Sequence, residues 1–337
     1  MIKVTDRVII ASGIEPRSRA LPAVQLLSNG DLIVAYRDAS THPFGVETII
    51  DDGVVAIVRS IDHGRNWNEP RTICALPGWD CAGGRSMVQT PDDSLLMFLM
   101  KARRSVPDKK VSAVYPVRSY DYGQTWTDFG PELALYPGGW TEPNTTGYMS
   151  VLSDGRWMMP AYGSDSLTGQ TFPCVAFSND EGETWTGRSA IAKSRVGITF
   201  YEPSIIRLRD GRYLAIVRTM DPPYTSYQTY SVDEGETWSV AMPVSFRGQT
   251  PFLFELQSDV IMCAYRDMTP DRFGVAASVT YDDGVTWNYV GHIYEGKDWN
   301  CGYPSLIRLQ DMQLFCVYYT CYEDGNSEVH GAFVEHA

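Results

Sequence analysis

"SNDEGETW" at Ser178–Trp185 and "SVDEGETW" at Ser231–Trp238 are nearly the same eight residues written twice in one chain. The pattern S/T-x-D-x-G-x-x-W occurs three more times, as "SIDHGRNW" (Ser60–Trp67), "SYDYGQTW" (Ser119–Trp126) and "TYDDGVTW" (Thr280–Trp287). Successive copies begin 59, 59, 53 and 49 residues apart, which is the mark of a repeat architecture. The chemistry of the octapeptide is that of a turn. Its Asp carboxylate can accept backbone N–H bonds across a tight bend. Its Gly takes a φ that a side chain opposes, and its Trp is large enough to pack over the turn. The five aspartates are therefore expected to be scaffold and not catalysts.

A second repeat interleaves with the first. An apolar run, a tight polar turn and another apolar run appear as "AVQLLSNGDLIVAY", "SMVQTPDDSLLMFL", "YMSVLSDGRWMMPAY", "SIIRLRDGRYLAIV", "FLFELQSDVIMCAY" and "SLIRLQDMQLFCVYY". These read as six β-hairpins. A third strand, such as "GVVAIVRS" or "FPCVAFS", leads into each octapeptide, and a fourth is expected after the Trp. Almost no stretch reads as helix. Four strands in about 56 residues, repeated around an axis, predict an all-β, six-bladed β-propeller of four-stranded antiparallel blades. The sixth hairpin has no octapeptide after it, and "SEVHGAFVE" reads as one strand. The N-terminal "KVTDRVIIA" is expected to complete that last blade, so that residues 1–337 form one domain.

The bulk composition narrows the partners. The chain is 44% hydrophobic, enough for a large core, and its net charge is −13. That charge argues against nucleic acid or an anionic membrane as partner. It leaves room for an anionic small substrate, because screening over about 8 Å lets a local arginine cluster dominate its own cleft. No run of 18 apolar residues spans a membrane. The start, "MIKVTDRVII", lacks a signal-peptide core, which makes a cytoplasmic location the expectation. Seven cysteines without paired metal spacing are expected to be buried free thiols, and five scattered histidines give no zinc pattern. No metal or organic cofactor is implied. The basic stretch "KARRSVPDKK" (Lys101 to Lys110) reads as a solvated loop.

The hairpin register locates the working edge. In a hairpin, residues equally far before and after the turn lie at the same edge of the sheet. Nine residues before the second turn residue stand Leu21, Gly84, Thr146, Glu202, Thr250 and Tyr303, and seven after it stand Arg37, Met100, Tyr162, Arg218, Arg266 and Tyr319. At eight before, four hairpins have proline (Pro22, Pro203, Pro251, Pro304) while the others have Arg85 and Gly147. Proline suits the start of a strand, which supports the alignment. "AYRD" adds Asp38 and Asp267 beside two of the arginines. Charged and polar groups converging at one edge are a candidate binding site. Glu142 ("GWTEPNTTG") and Glu202 ("TFYEPSII") form two Glu-Pro pairs, and two carboxyl groups about 5–5.5 Å apart would suit retaining glycoside hydrolysis.

Octapeptides of this kind on six four-stranded units resemble the Asp-box repeats of the sialidase (neuraminidase) superfamily, over nearly the whole chain. The resemblance implies an exo-acting glycoside hydrolase that removes a terminal acidic sugar from a glycan or small saccharide. In that family three arginines hold the substrate carboxylate, a tyrosine paired with a glutamate is the nucleophile, and an aspartate is the acid/base. Carried over by position, "EPSIIRLRDGRYLAIVR" gives Glu202 and Arg218, "DRFGVAASVTYDDG" gives Arg272, and "GYPSLIRL" gives Tyr303 as nucleophile. The family's first arginine stands two residues before a proline. Here that position is Ala20, with Arg19 one residue further out; a one-residue offset changes the face of a strand unless a bulge corrects it. Arg37, on the facing strand, is the alternative, and Arg266 completes the cluster. Asp38 has the best position for the acid/base, beside Glu47, Asp51 and Asp52. Two other readings stay open. One is a propeller glycosidase or lyase with another substrate (exo-arabinanase-like, through Glu142 and Glu202), and the other is a non-catalytic carbohydrate-binding propeller.

Overall fold

The computed structural model describes residues 1–12, 17–42, 50–105, 111–133, 140–194, 197–257, 259–309, 313–322 and 325–336. Among the described residues there are 23 strands and no helix. The chain divides into two compact units, residues 133–299 and residues 2–132 with 300–337.

In the second of these units an eight-stranded sheet runs Cys301–Arg308, Leu314–Cys321, Ser327–His336, Ser18–Leu26, Leu32–Ala39, Val54–Ser60 and Arg71–Cys74, with Ile2–Ala11 also paired to Ser327–His336. The N-terminal strand pairs with the last one: Ile2–Ala11 lies antiparallel to Ser327–His336 along its length. Ser327–His336 meets Ser18–Leu26 at one parallel pair, Ser18 with Ser327. A three-stranded antiparallel sheet, Asp80–Gln89, Leu95–Arg103 and Val111–Ser119, completes this unit. The fourth strand expected after Trp126 is not formed by residues 127–133.

In the unit of residues 133–299, Trp140–Thr145 and Ser150–Val151 both pair with Trp157–Asp165, followed by Thr171–Ser178 and Thr186–Ala190. A seven-stranded sheet then runs in chain order from Phe200–Arg207 to Asn288–Glu295. Its 16-residue strand Met242–Gln257 was expected as two strands. The first half pairs with Thr225–Ser231 and the second with Val260–Asp267. The segment "VSFRGQ" holds no proline or turn pair that would break it, so the strand continues.

Burial explains why the strands read as unbroken apolar runs and not as alternation. Tyr213–Thr219, Val260–Asp267 and Gly274–Thr280 are buried at every residue, as strands covered on both faces must be. In the unit holding residues 2–132, one core gathers Val24, Val34, Tyr36, Phe315 and Phe333, and another gathers Ile33, Met87, Met97 and Val117. In residues 133–299 the matching cores centre on Phe200 with Val217 and on Tyr265 with Phe246. All seven cysteines are free, six of them buried and Cys321 half-buried, in line with their apolar surroundings in the sequence.

Every octapeptide folds around the same Asp and Ser/Thr bonds, while the indole bond to the Gly carbonyl forms at Trp67, Trp185 and Trp238. In the copy at Ser231, the Ser Oγ donates to Asp233 Oδ1 at 2.8 Å and accepts from the Gly235 N–H at 2.8 Å. Asp233 also accepts from the Thr237 N–H at 2.9 Å and from the Thr237 hydroxyl at 2.5 Å. The Trp238 indole N–H closes the loop on the Gly235 carbonyl at 3.0 Å. The copies at Ser60, Ser119, Ser178 and Thr280 repeat the Asp bonds. Glycine is needed at the bend: φ is +82° to +91° at Gly64, Gly123, Gly182, Gly235 and Gly284. The preceding residue is also left-handed although it carries a side chain, as at His63 and Glu234.

The lock carries a pH signature. The Asn66 side-chain and backbone N–H bonds hold the Asp62 carboxyl at about 2. For Asp121, partial burial pushes upward, but bonds from Thr125 and Ser119 bring it to about 2. Both values lie below the roughly 3.9 of an unfolded aspartate. Their stabilisation is therefore fully present above about pH 4 and lost as pH falls through about 2. Thermal melts should show Asp62→Asn and Asp121→Asn clearly less stable than the unaltered protein at neutral pH, with the gap narrowing near pH 2.

Candidate functional site

The first strand of five hairpins breaks its ladder near the end remote from the turn. The register shifts lie between Ala20 and Ala23, Gly83 and Met87, Tyr201 and Ser204, Gln249 and Phe252, and Gly302 and Ser305. In four of them the shift contains a residue and a proline, and the residue is left-handed: Leu21 (φ +59°), Glu202 (+43°), Thr250 (+52°) and Tyr303 (+51°). Cβ sterics oppose this conformation, so the surroundings must impose it, and such strain collects at functional sites. The prolines were expected at strand starts. They sit instead inside strands, at bulges where the ladder asks for no N–H donor. The bulge also settles the facing residues. Arg37 pairs with Ala20, Arg218 with Tyr201, Arg266 with Gln249 and Tyr319 with Gly302, each one residue ahead of the left-handed position.

In the unit of residues 133–299, Glu202 is 4% exposed and accepts from Arg218 Nη1 at 2.5 Å. The bulge around it is tied to its neighbours: Thr146 Oγ1 donates to the Pro203 carbonyl at 2.6 Å, and Ser204 Oγ accepts the Leu253 N–H at 2.9 Å. Buried Arg266 donates to Gln249 Oε1 at 3.2 Å, and Gln249 donates on to the Thr219 carbonyl at 3.3 Å. Arg272 is the exposed arginine of the set. Its Nε bonds Asp267 Oδ2 at 3.0 Å and its guanidinium lies 4.4 Å from the Tyr289 ring centre. Asp267 is fully buried; burial pushes its carboxyl up, but His292, Thr269 and Arg272 together hold it below the usual range. Glu142 belongs to the strand Trp140–Thr145, and its side chain lies outside the described residues.

In the other unit, Arg19 and Asp38 come together, Nε to Oδ2 at 3.3 Å, with Arg17 on the second carboxylate oxygen. Arg37 is 1% exposed. Its Nε and Nη2 each lie 2.8 Å from Asp80 Oδ1, and Nη1 donates to the Thr41 carbonyl at 2.9 Å. Asp80 was not singled out in the sequence, where only its place ahead of the "GGR" bulge could have marked it. Its other oxygen binds Arg104 Nη1 at 2.7 Å. A Cβ on Gly53 would stand 1.8 Å from Asp80 Oδ1, so that approach is closed to any side chain. The basic stretch from Lys101 is thus no solvated loop at its start. Lys101 and Arg103 finish a strand, Arg104 is paired, and residues 106–110 lie outside the described residues.

The remaining acid candidates are engaged. For Asp51, burial pushes upward, but the Ser105 hydroxyl and the Arg104 and Ser105 N–H groups hold the carboxyl below its usual range. Asp52 accepts from the Ser40 N–H at 3.1 Å, and Glu47 lies outside the described residues. Tyr303 is half-buried, with the Arg85 guanidinium 4.4 Å from its ring centre and the Tyr319 ring 6.2 Å away.

The BNR repeat-like domain family matches residues 50–316, well over half of the chain. The chain belongs to this family. BNR repeats are the Asp-box octapeptides, and the relatives set the family within the sialidase superfamily. A sialidase of Paraclostridium sordellii is 25% identical over 249 residues, covering 66% of this chain and 58% of that relative, so the chain spans about three fifths of its length. Among solved structures, a protein of unknown function from Dyadobacter fermentans has a TM-score of 0.85 at 21% identity, covering 100% of this chain and 99% of that one. The intramolecular trans-sialidase of Ruminococcus gnavus, solved with oseltamivir carboxylate, has a TM-score of 0.70 at 12% identity, with 94% of each chain covered. At these identities the structural likenesses concern the fold. No helix among the described residues is long and apolar enough to cross a membrane.

Removing one partner of a buried ion pair leaves an uncompensated charge. Arg218→Ala, which takes this guanidinium from buried Glu202, should cost about 3–5 kcal/mol in urea unfolding, and adding Glu202→Gln in the same chain should recover part of that loss.

Proposed function

We propose that this BNR-repeat protein is an exo-acting glycoside hydrolase of sialidase type, removing a terminal acidic sugar from a glycan or small saccharide. Its scaffold in this reading is a single six-bladed β-propeller spanning residues 1–337. The hairpin count, the octapeptide locks and the pairing of Ile2–Ala11 with Ser327–His336 support that architecture. The observation that carries the functional reading is the left-handed residue-proline bulge. Glu202 and Tyr303 both stand at it, and Glu202 has a buried arginine bound to it.

The roles follow from the chemistry of the substrate. The anomeric carbon of a sialic acid carries a carboxylate, which repels an anionic nucleophile. A neutral phenol that loses its proton only as it attacks avoids that repulsion. We assign Tyr303 as nucleophile and Glu202 as the carboxylate that takes its proton. Arg218, Arg272 and Arg19 are assigned to the substrate carboxylate, each charge-assisted bond contributing about 1.5–3 kcal/mol. Arg266 and Arg37 are assigned, by their hairpin positions, as further substrate-binding candidates. Asp38, the acid/base by position, is bonded to Arg17 and Arg19; Asp38→Asn separates a proton-transfer role from that of an arginine holder.

Hydrolysis of a fluorogenic sialoside tests the assignment. Tyr303→Phe and Glu202→Gln should each lower kcat by at least about 100-fold. If Tyr303→Phe keeps most of its activity while Glu142→Gln loses it on another glycoside, the carboxylate-pair reading replaces this one.

A further inference from the structure

We infer that Arg85 is a positioning residue for Tyr303: its guanidinium, stacked on the phenol ring, fixes the ring and stabilises the phenolate formed when Tyr303 loses its proton. This deepens the proposed function and rests on Tyr303 being the nucleophile.

The repeat itself singles out Arg85. At the same hairpin position four other strands have proline, whose ring reaches nowhere, and one has Gly147. Only the strand Asp80–Gln89 puts a long cation there. The backbone is adapted to it. The register shift between Gly83 and Met87 is wider than the two-residue shifts at the prolines. A Cβ on Gly83 would lie 2.6 Å from the Phe98 carbonyl, so the strand is pressed against its neighbour where it turns toward Arg85. The guanidinium carbon then stands 4.4 Å from the Tyr303 ring centre, within cation–π range. A phenolate ring is more electron-rich than a phenol ring. The same contact therefore favours the deprotonated form over the neutral one, which is the differential that a nucleophile needs.

Other titratable groups pack around the strand Cys301–Arg308 within this unit. Tyr319 faces the Tyr303 ring at 6.2 Å and donates to Asn300 Oδ1 at 3.0 Å, and His42 stacks on Tyr319 at 6.0 Å. Arg19, paired with Asp38, is on the adjoining strand Ser18–Leu26, and Tyr318 and Cys316 are on Leu314–Cys321. None of these residues is substituted in the Arg85 variants below, so those backgrounds differ only at position 85.

The test reads the phenol directly. Ultraviolet difference titration at the phenolate band, unaltered protein minus Tyr303→Phe, gives the Tyr303 midpoint. The same difference is then taken in Arg85→Met and Arg85→Lys backgrounds. The midpoint should rise by at least one pH unit in Arg85→Met, a tenfold loss of phenolate, and should move by less than half a unit in Arg85→Lys. A midpoint in Arg85→Met within 0.3 units of the unaltered protein overturns the inference. If Arg85→Met fails to fold, the neutral Arg85→Gln serves for the same comparison. The readout does not depend on turnover. An unaltered protein that cleaves no sialoside would overturn the proposed function, while an unmoved midpoint would overturn only the coupling of Arg85 to Tyr303.

Discussion

Four residues that carry side chains, Leu21, Glu202, Thr250 and Tyr303, are held in a backbone conformation their own Cβ atoms oppose. Each such residue costs about 1–3 kcal/mol and persists only where its neighbours leave no alternative. Here the neighbours do so by packing and by hydrogen bonds. Ser204 and Ser305, the residues just past two of the prolines, accept N–H groups from Leu253 and Val24 on adjoining strands. Thr146 bonds the carbonyl of Pro203 inside the bulge. The strain thus belongs to the contacts between neighbouring hairpins. It is what turns Glu202 and Tyr303 away from the plain alternation of their strands.

The locks and hairpins were readable because their chemistry is local. An Asp two residues after a hydroxyl and two before a glycine can satisfy one bend only one way, and the structure shows those acceptors in use at each copy. The arginines at the ends of the second strands were also readable from register alone. What escaped was non-local. The prolines mark bulges because of what the facing strand does, which spacing within one strand does not reveal. Asp80 matters because Arg37 and Arg104 reach it from 43 and 24 residues away. The "KARR" segment looked solvated because pairing hides a charge that composition counts as exposed. Met242–Gln257 was divided on the rule of one strand per repeat element, although its sequence contains no break.

Within each unit, arginines singled out by the hairpin register stand in neutralised pairs. Against a net charge of −13, the buried arginines stand beside carboxylates or carbonyl acceptors: Arg218 with Glu202, Arg37 with Asp80, and Arg19 with Asp38. Desolvation makes each pair costly to assemble and far more costly to break. Exposed Arg272 differs in having one face turned to solvent while Asp267 anchors its root. The Arg272 side chain is 46% exposed, whereas that of Arg37, in the other unit, is 1% exposed.

The pairing of Ile2–Ala11 with Ser327–His336 joins strands that are far apart in the chain; Thr5 reaches the Phe333 carbonyl across 328 positions. During synthesis, Ile2–Ala11 leaves the ribosome long before its partner exists. Until Ser327–His336 emerges, that sheet edge is open, with unsatisfied amides that any passing strand can match. Closing so long a loop is slow in entropic terms. The nascent polypeptide therefore carries Ile2–Ala11 without this partner until Ser327–His336 emerges, an interval in which chaperone capture and misassembly compete for it.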